Sequence, residues 1–185
     1  MQAAADAAAS GMVSVVGLDS EKTEQLCATA SELSGKRVQI ANYLCKGNYT
    51  VSGDKEACAK LAEIAKPEFK ARMAVPLAVA GAFHTDFMAP AVEKLKEVLA
   101  SVDLQTPRIP VVSNVDAKPH SDPEMIKEIL AKQVTAPVRW ETQMKDLVAS
   151  GGFERGFECG PGKVIAGIMK RIDKGAAKNI TGVPV

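Results

Sequence analysis

Between Met12 and Val79 the apolar residues switch repeatedly between the two-residue spacing of a strand and the three-to-four spacing of a helix. That order constrains the fold more than any other feature of the chain. A β-rich run, Met12-Val-Ser-Val-Val-Gly17, leads into a helix that opens at Asp19 or Ser20 and stops at Gly35. Side-chain oxygens of Asp and Ser accept from the free N–H groups of a first helical turn, and glycine adopts the left-handed conformation that ends one. Strands are expected at 38–43 and 49–52, turned around Gly47, then a helix with Ala57, Leu61, Ile64 and Ala65 on one face, ended by Pro67. A last strand covers 73–79. The order βαββαβ is the ferredoxin-like pattern, a small antiparallel sheet with two helices on one face.

The remainder has a different rhythm. A helix after His84 places Phe87, Ala91, Leu95, Val98 and Leu99 inward, and 109–113 reads as a strand. Asp122 caps a helix with Pro123 at its first position and Met125, Ile126, Ile129 and Leu130 on its inner face. Another helix starts near Pro137 and stops at Gly151-Gly152. A strand at 156–159 then turns through Gly160-Pro-Gly-Lys163 into a helix carrying Val164, Ile165, Ile168 and Met169. Apolar strands of this kind sit inside larger parallel sheets covered on both faces. Two strands cannot form such a sheet, so part of the layer is expected to come from elsewhere.

Composition narrows the function. With 23 Lys and Arg against 22 Asp and Glu, the net charge of +1 argues against a nucleic-acid binder. The apolar runs are short and broken, so no membrane span is expected. Cys27, Cys45, Cys58 and Cys159 are scattered, with no C-x-x-C pair and no histidine placed to complete a zinc site. They read as free thiols of a reducing compartment. The first residues, Met1-Gln-Ala-Ala-Ala-Asp-Ala-Ala-Ala, lack the basic and long apolar regions of a signal peptide and read as a helix end.

Chemistry concentrates at Ala80-Gly-Ala-Phe-His-Thr-Asp-Phe-Met-Ala-Pro90, where His84, one of only two histidines, occupies a turn between strand and helix. Downstream stand Ile109-Pro-Val-Val-Ser-Asn-Val-Asp-Ala117, Gln133-Val-Thr-Ala-Pro-Val-Arg-Trp140 and Glu158-Cys-Gly-Pro-Gly-Lys-Val-Ile-Ala-Gly-Ile-Met-Lys-Arg-Ile172. In wording, order and spacing these segments resemble the malonyl-CoA:acyl carrier protein transacylase family, and most closely its plant and plastid-type members. The resemblance runs over essentially the whole chain. It implies an α/β fold in three parts: a helix end of the large subdomain at 1–11, a ferredoxin-like small subdomain at 12–78, and at 79–185 the C-terminal part of a hydrolase-like parallel α/β subdomain.

The family transfers malonyl from CoA to the phosphopantetheine thiol of acyl carrier protein, in fatty-acid synthesis, through an acyl-serine. The resemblance therefore implies that His84 is general base and then general acid. Gln133 matches the residue whose backbone carbonyl orients that histidine. Phe83 matches the form used for unbranched malonyl, Asn114 falls in another wall of the site, and Asn42 in a loop that contacts substrate. Malonyl-CoA and the carrier are then substrates, with no resident cofactor and no metal, and the location is plastid, or otherwise cytoplasmic.

Other features have plainer readings. Gly160-Pro-Gly-Lys163 lacks the spacing of a P-loop and reads as a structural turn. The basic tail Lys170, Arg171, Lys174 and Lys178 could attract an acidic carrier or CoA phosphates, or be a solvated helix face. Cys159 is expected as a small core residue at the end of a strand, and His120 as a surface-loop residue. The loop Asn42-Tyr-Leu-Cys-Lys-Gly-Asn48 departs from the family's Asn-x-Asn-x-Pro-Gly-Gln. No G-x-S-x-G elbow occurs, and Ser10, Ser52 and Ser113 lack its flanks. In the family the serine, the malonate-binding arginine and the oxyanion donors precede the part that matches Met1, and Arg37, Arg72 and Arg139 do not match that arginine. Two expectations follow. Either this is the C-terminal portion of a transferase, inactive alone and completed by upstream sequence or a second chain, or it is a non-catalytic binding or structural subunit derived from that fold.

Overall fold

A short Ala-rich helix, α1 (Gln2–Asp6), feeds the chain into β1 (Ser10–Val16) in the computed structural model, which describes residues 1–184. The strand starts two residues earlier than its apolar run because Ser10 and Gly11 already pair with Asp54 and Gly53. Next comes α2 (Ser20–Ser34), where the Asp19 carboxylate accepts from the Lys22 N–H at 2.8 Å and Gly35 closes the helix at φ 66°. The hairpin β2 (Val38–Cys45) and β3 (Asn48–Asp54) turns at Gly47, φ 77°. After it follow α3 (Lys55–Ala65), capped by Asp54, and β4 (Met73–Pro76), which ends before the expected residue 79.

These four strands form an antiparallel sheet in the order β2-β3-β1-β4. Its core lies between the strands and the pair α2 and α3: Val13, Val15, Ile40 and Val51 face Leu26, Ala30, Leu61 and Ile64, all buried. Gly53 is required where β3 crosses β2, because a Cβ there would run into the Arg37 carbonyl and the Val38 Cα. Cys27 and Cys58 sit in this core, and burial pushes their thiols up to about 12 and about 11.

The second half is less regular than its periodicity implies. A single 3-10 turn (Asp86–Met88) precedes α4 (Ala89–Ser101), which has no fully buried residue, and Val98 is 50% exposed. Only Val111 and Val112 of the expected 109–113 strand pair, as β5, with β6 (Pro119–His120). His120 is therefore no free loop residue: its Nε2 lies 2.9 Å from Asp116 Oδ2. α5 (Pro123–Gln133) is capped by Asp122 as its sequence demands, yet of its apolar residues only Ala131 is buried, with Met125 and Leu130 exposed. α6 (Trp140–Ala149) follows, then β7 (Gly156–Cys159), α7 (Val164–Ile172), a four-residue α8 (Lys174–Ala177) and β8 (Ile180–Val183), which pairs in parallel with β7. The two expected strands thus do not pair with each other; each takes a short local partner.

Alternation in β7 is inverted. Phe157 is 61% exposed and Cys159 is exposed, whereas Glu158 is buried. The carboxylate turns inward because it accepts from the Ile165 and Ala166 N–H groups at 2.8 and 3.0 Å, satisfying the first turn of α7. Those backbone bonds, Ala166's first and Ile165's next, hold the Glu158 carboxyl below its ordinary value of 4.5. The halves meet at the outer edge of β2, where Val138 bridges Asn42 in parallel: Val138 N donates to Ala41 O at 2.8 Å and Tyr43 N to Val138 O at 2.9 Å. Among the described residues no helix is long and apolar enough to cross a membrane, and no cluster of three or more His, Cys, Asp or Glu stands ready for a metal.

Leu61→Ala should lower unfolding stability by about 2–5 kcal/mol in a urea titration, the usual range for a fully buried leucine. Glu158 contributes stability above its ordinary value of 4.5 that is lost as pH falls through its lower folded-state value. Glu158→Gln should accordingly reduce Tm at neutral pH and narrow its gap from the parent as the solution is acidified below that value.

Candidate active site

His84 has a left-handed backbone, φ 61°, a conformation that a residue with a Cβ holds only when its surroundings over-determine it. Several contacts do so. The Ala82 N–H donates to Ser10 Oγ on β1 at 3.0 Å, and the buried Thr85 hydroxyl donates to Ala82 O at 2.7 Å. Gly81 lies against α1, where an added Cβ would come within 2.8 Å of Ala5 Cβ and 3.2 Å of Met88 Cε. Phe83 packs with Phe87 onto the cluster of Ala4, Ala5, Met88 and Val134. The turn is wedged between the first strand and the helical layer.

The half-buried imidazole faces the C-terminal end of α5. Its Nδ1 lies 3.0 Å from Gln133 O and 3.2 Å from Ala136 O. The last carbonyls of a helix have no partner within it, so they are free to accept here. Both partners are acceptors, so Nδ1 must carry a hydrogen, and in the neutral ring the lone pair is left on Nε2. A histidine of that tautomer can take a proton at Nε2 and return it.

Gln133 acts twice. Its side-chain Oε1 accepts from Asn114 Nδ2 at 3.0 Å, while Asn114 Oδ1 accepts from Gln143 Nε2 at 2.8 Å and Asn114 O from the Arg139 N–H at 2.9 Å. This amide chain ties the end of α5 to α6 and to the loop after β5. Asn42 joins it only through the backbone, by way of Val138, the neighbour of Arg139. The buried Gln143 was not marked by the sequence, because one glutamine on a helix carries no signal of what it faces. Of the serines, Ser10 Oγ is bound to the His84 turn, Ser113 Oγ accepts from Val115 N at 3.0 Å, and Ser52 is fully buried.

No family model matches the chain. A malonyl CoA-acyl carrier protein transacylase of Bacillus subtilis is 38% identical over 174 residues, 94% of this chain and 54% of that protein. Similarity to malonyl transacylases is therefore plain. Curated relatives include bacterial and mitochondrial transacylases. An acyl-carrier-protein S-malonyltransferase from Burkholderia pseudomallei superposes with TM-score 0.85 at 39% identity, over 96% of this chain and 55% of that one. Another solved structure, of a type II PKS acyl-carrier protein in complex with its malonyl-transacylase, aligns with TM-score 0.82 at 31% identity, over 96% and 55%. The chain has the mixed α/β fold of the transacylases over the part it shares, and spans about half the length of the curated relatives it matches.

In the neutral form of the protein, nitrogen NMR should find the His84 proton on Nδ1; a neutral ring protonated on Nε2 would contradict the geometry. Asn114→Ala should cost about 1–3 kcal/mol in chemical unfolding, since it strands the amides of Gln133 and Gln143 together.

Proposed function

We propose that this chain supplies the acid–base half of a malonyl transferase, moving malonyl from CoA to the phosphopantetheine thiol of acyl carrier protein in fatty-acid synthesis. The observation that carries the reading is the His84 imidazole, held by two carbonyls with Nε2 left free, in a chain 38% identical to a malonyl transacylase. In the proposed cycle a serine outside these residues attacks the malonyl thioester carbonyl while Nε2 takes the hydroxyl proton. The tetrahedral intermediate expels the CoA thiolate, which receives that proton from Nε2. The carrier thiol then gives its proton to Nε2 and attacks the acyl-serine, and Nε2 returns the proton to the departing serine oxygen. The Gln133 carbonyl takes the orienting place that a carboxylate holds in a Ser-His-Asp triad.

Phe83, Asn114 and Asn42 are the proposed substrate-side residues, and an arginine for the malonate carboxylate is expected with the serine. A concavity of about 500 Å³, lined by Lys46, Arg72, Lys170, Arg171 and Lys174 without any acidic residue, supports an acidic carrier or CoA phosphates as its partner. The reading also takes 12–78 as a ferredoxin-like small subdomain, with 1–11 and 79–185 belonging to the large one, and a plastid location, for which the support is the plant-like wording of the motifs. That the similar proteins are transferases disfavours a purely structural role.

Alone, the 185-residue chain is expected to form no malonyl adduct on incubation with malonyl-CoA; a mass increase of one malonyl group on the intact chain overturns that expectation. In a protein completed by a serine-bearing segment, His84→Ala should reduce transfer by about 10²–10⁴-fold, the contribution of a positioned acid–base group. Near-parental activity would remove His84 from the mechanism.

A further inference from the structure

Asn114 is carried on a loop that its own strands are too short to hold. β5 and β6 pair at two positions, Val111 with His120 and Val112 with Pro119, and both valines are exposed. A two-stranded hairpin standing alone is marginal even at greater length. The loop is also strained: Ala117 is left-handed, φ 61°, although it has a Cβ and is buried. Something besides the ladder must keep it closed.

The Asp116 carboxylate does this. Its Oδ1 accepts from the Lys118 N–H at 3.2 Å, on the far side of Ala117, and its Oδ2 and Oδ1 lie 2.9 and 3.2 Å from His120 Nε2. An ionised carboxylate only accepts, so Nε2 is the donor. Burial alone would raise the Asp116 carboxyl, but the Lys118 N–H, the His120 ring and the Ser113 hydroxyl outweigh it and hold the group below its ordinary value of 3.8. The two side chains are 18% and 37% exposed, so the pair is better shielded than an open surface contact. Around it the backbone closes the loop, with Ser113 N donating to Lys118 O at 2.9 Å and Ala117 N to Ser113 O at 3.0 Å.

Two residues before Asp116, the Asn114 side chain donates to Gln133 and accepts from Gln143. The loop is seated on the start of α6 as well, where Asn114 O and Val115 O accept from the Arg139 N–H and Nε at 2.9 and 3.1 Å. Gln133 in turn offers its backbone carbonyl to His84 Nδ1. A shift of the loop is therefore passed through one amide to the residue that orients the ring.

We propose that Asp116 and His120 are positioning residues for the acid–base site: their bond sets the loop so that Asn114 holds Gln133, and Gln133 holds the His84 ring. The role rests on the reading of His84 as the acid–base group, yet its test needs no turnover.

The test uses the 185-residue chain, in which His120→Ala leaves His84 as the one histidine and its ring signal unambiguous. His120→Ala and Asp116→Ala should each raise the solvent-exchange rate of the His84 Nδ1–H roughly fivefold to tenfold, the scale of one lost bond. Both should also shift the side-chain amide signals of Asn114 and Gln143. His120→Gln, which keeps a donor within reach of the carboxylate, should restore most of the parental rate. The double variant should exchange no faster than Asp116→Ala alone, since both changes remove the same bond. Ile64→Val, a destabilising change in the core of the small sheet, should leave the His84 rate within roughly twofold of the parent. Unchanged rates in both single variants, a His120→Gln that behaves like His120→Ala, additive effects in the double variant, or an equal rise in Ile64→Val each overturn the proposal. Should Asp116→Ala fail to fold, the two His120 variants decide it. Any of these failures leaves the transfer reading standing, since that is decided by His84→Ala in a completed enzyme.

Discussion

The bond from His84 Nδ1 to the Gln133 carbonyl joins segments 49 residues apart, and most of the site's order is organised around it. It needs a helix that ends at Gln133 with an unused carbonyl, a turn that tolerates a left-handed histidine, and a support that keeps the two in reach. α5 provides the first through its Asp122 cap and the length that follows. Ser10, Gly81 and Thr85 provide the second by gripping the turn from β1, α1 and its own backbone. The amide chain through Asn114 and Gln143 provides the third. None of these parts is strong singly, and the arrangement persists because each leaves the others no alternative partner.

How legible the site was depended on how local its causes are. The Asp19 and Gly35 boundaries of α2, the Gly47 turn and the Asp122 cap are decided by residues three or four apart, and a reader of the sequence finds them where they are. The place of Gln133 was available only from resemblance, since nothing about a glutamine at a helix end announces that its carbonyl faces a ring 49 residues earlier. Gln143 was invisible for the same reason.

Periodicity also marks a face as suited to burial without saying what covers it. The apolar residues of α4 and α5 repeat at helical spacing, yet most stay partly open, as do Val111 and Phe157 on the short strands and Ile109 just before them. Glu158 shows the converse: the spacing of apolar residues says nothing of a carboxylate that turns inward because the free N–H groups of α7 outweigh the preference of charge for water. β8 was missed because four residues that include a glycine carry too little pattern to be read as a strand.

The backbone seam between Asn42 and Val138 makes the stability of the small sheet and the order of the amide chain a single cooperative quantity. If the outer edge of β2 frays, Val138 loses its partners on both sides, Arg139 is released from Asn114, and the grip on Gln133 loosens with it. Slow amide exchange at Tyr43 and Val138 is thus a remote gauge of how firmly the histidine is held, read from backbone positions that never touch it.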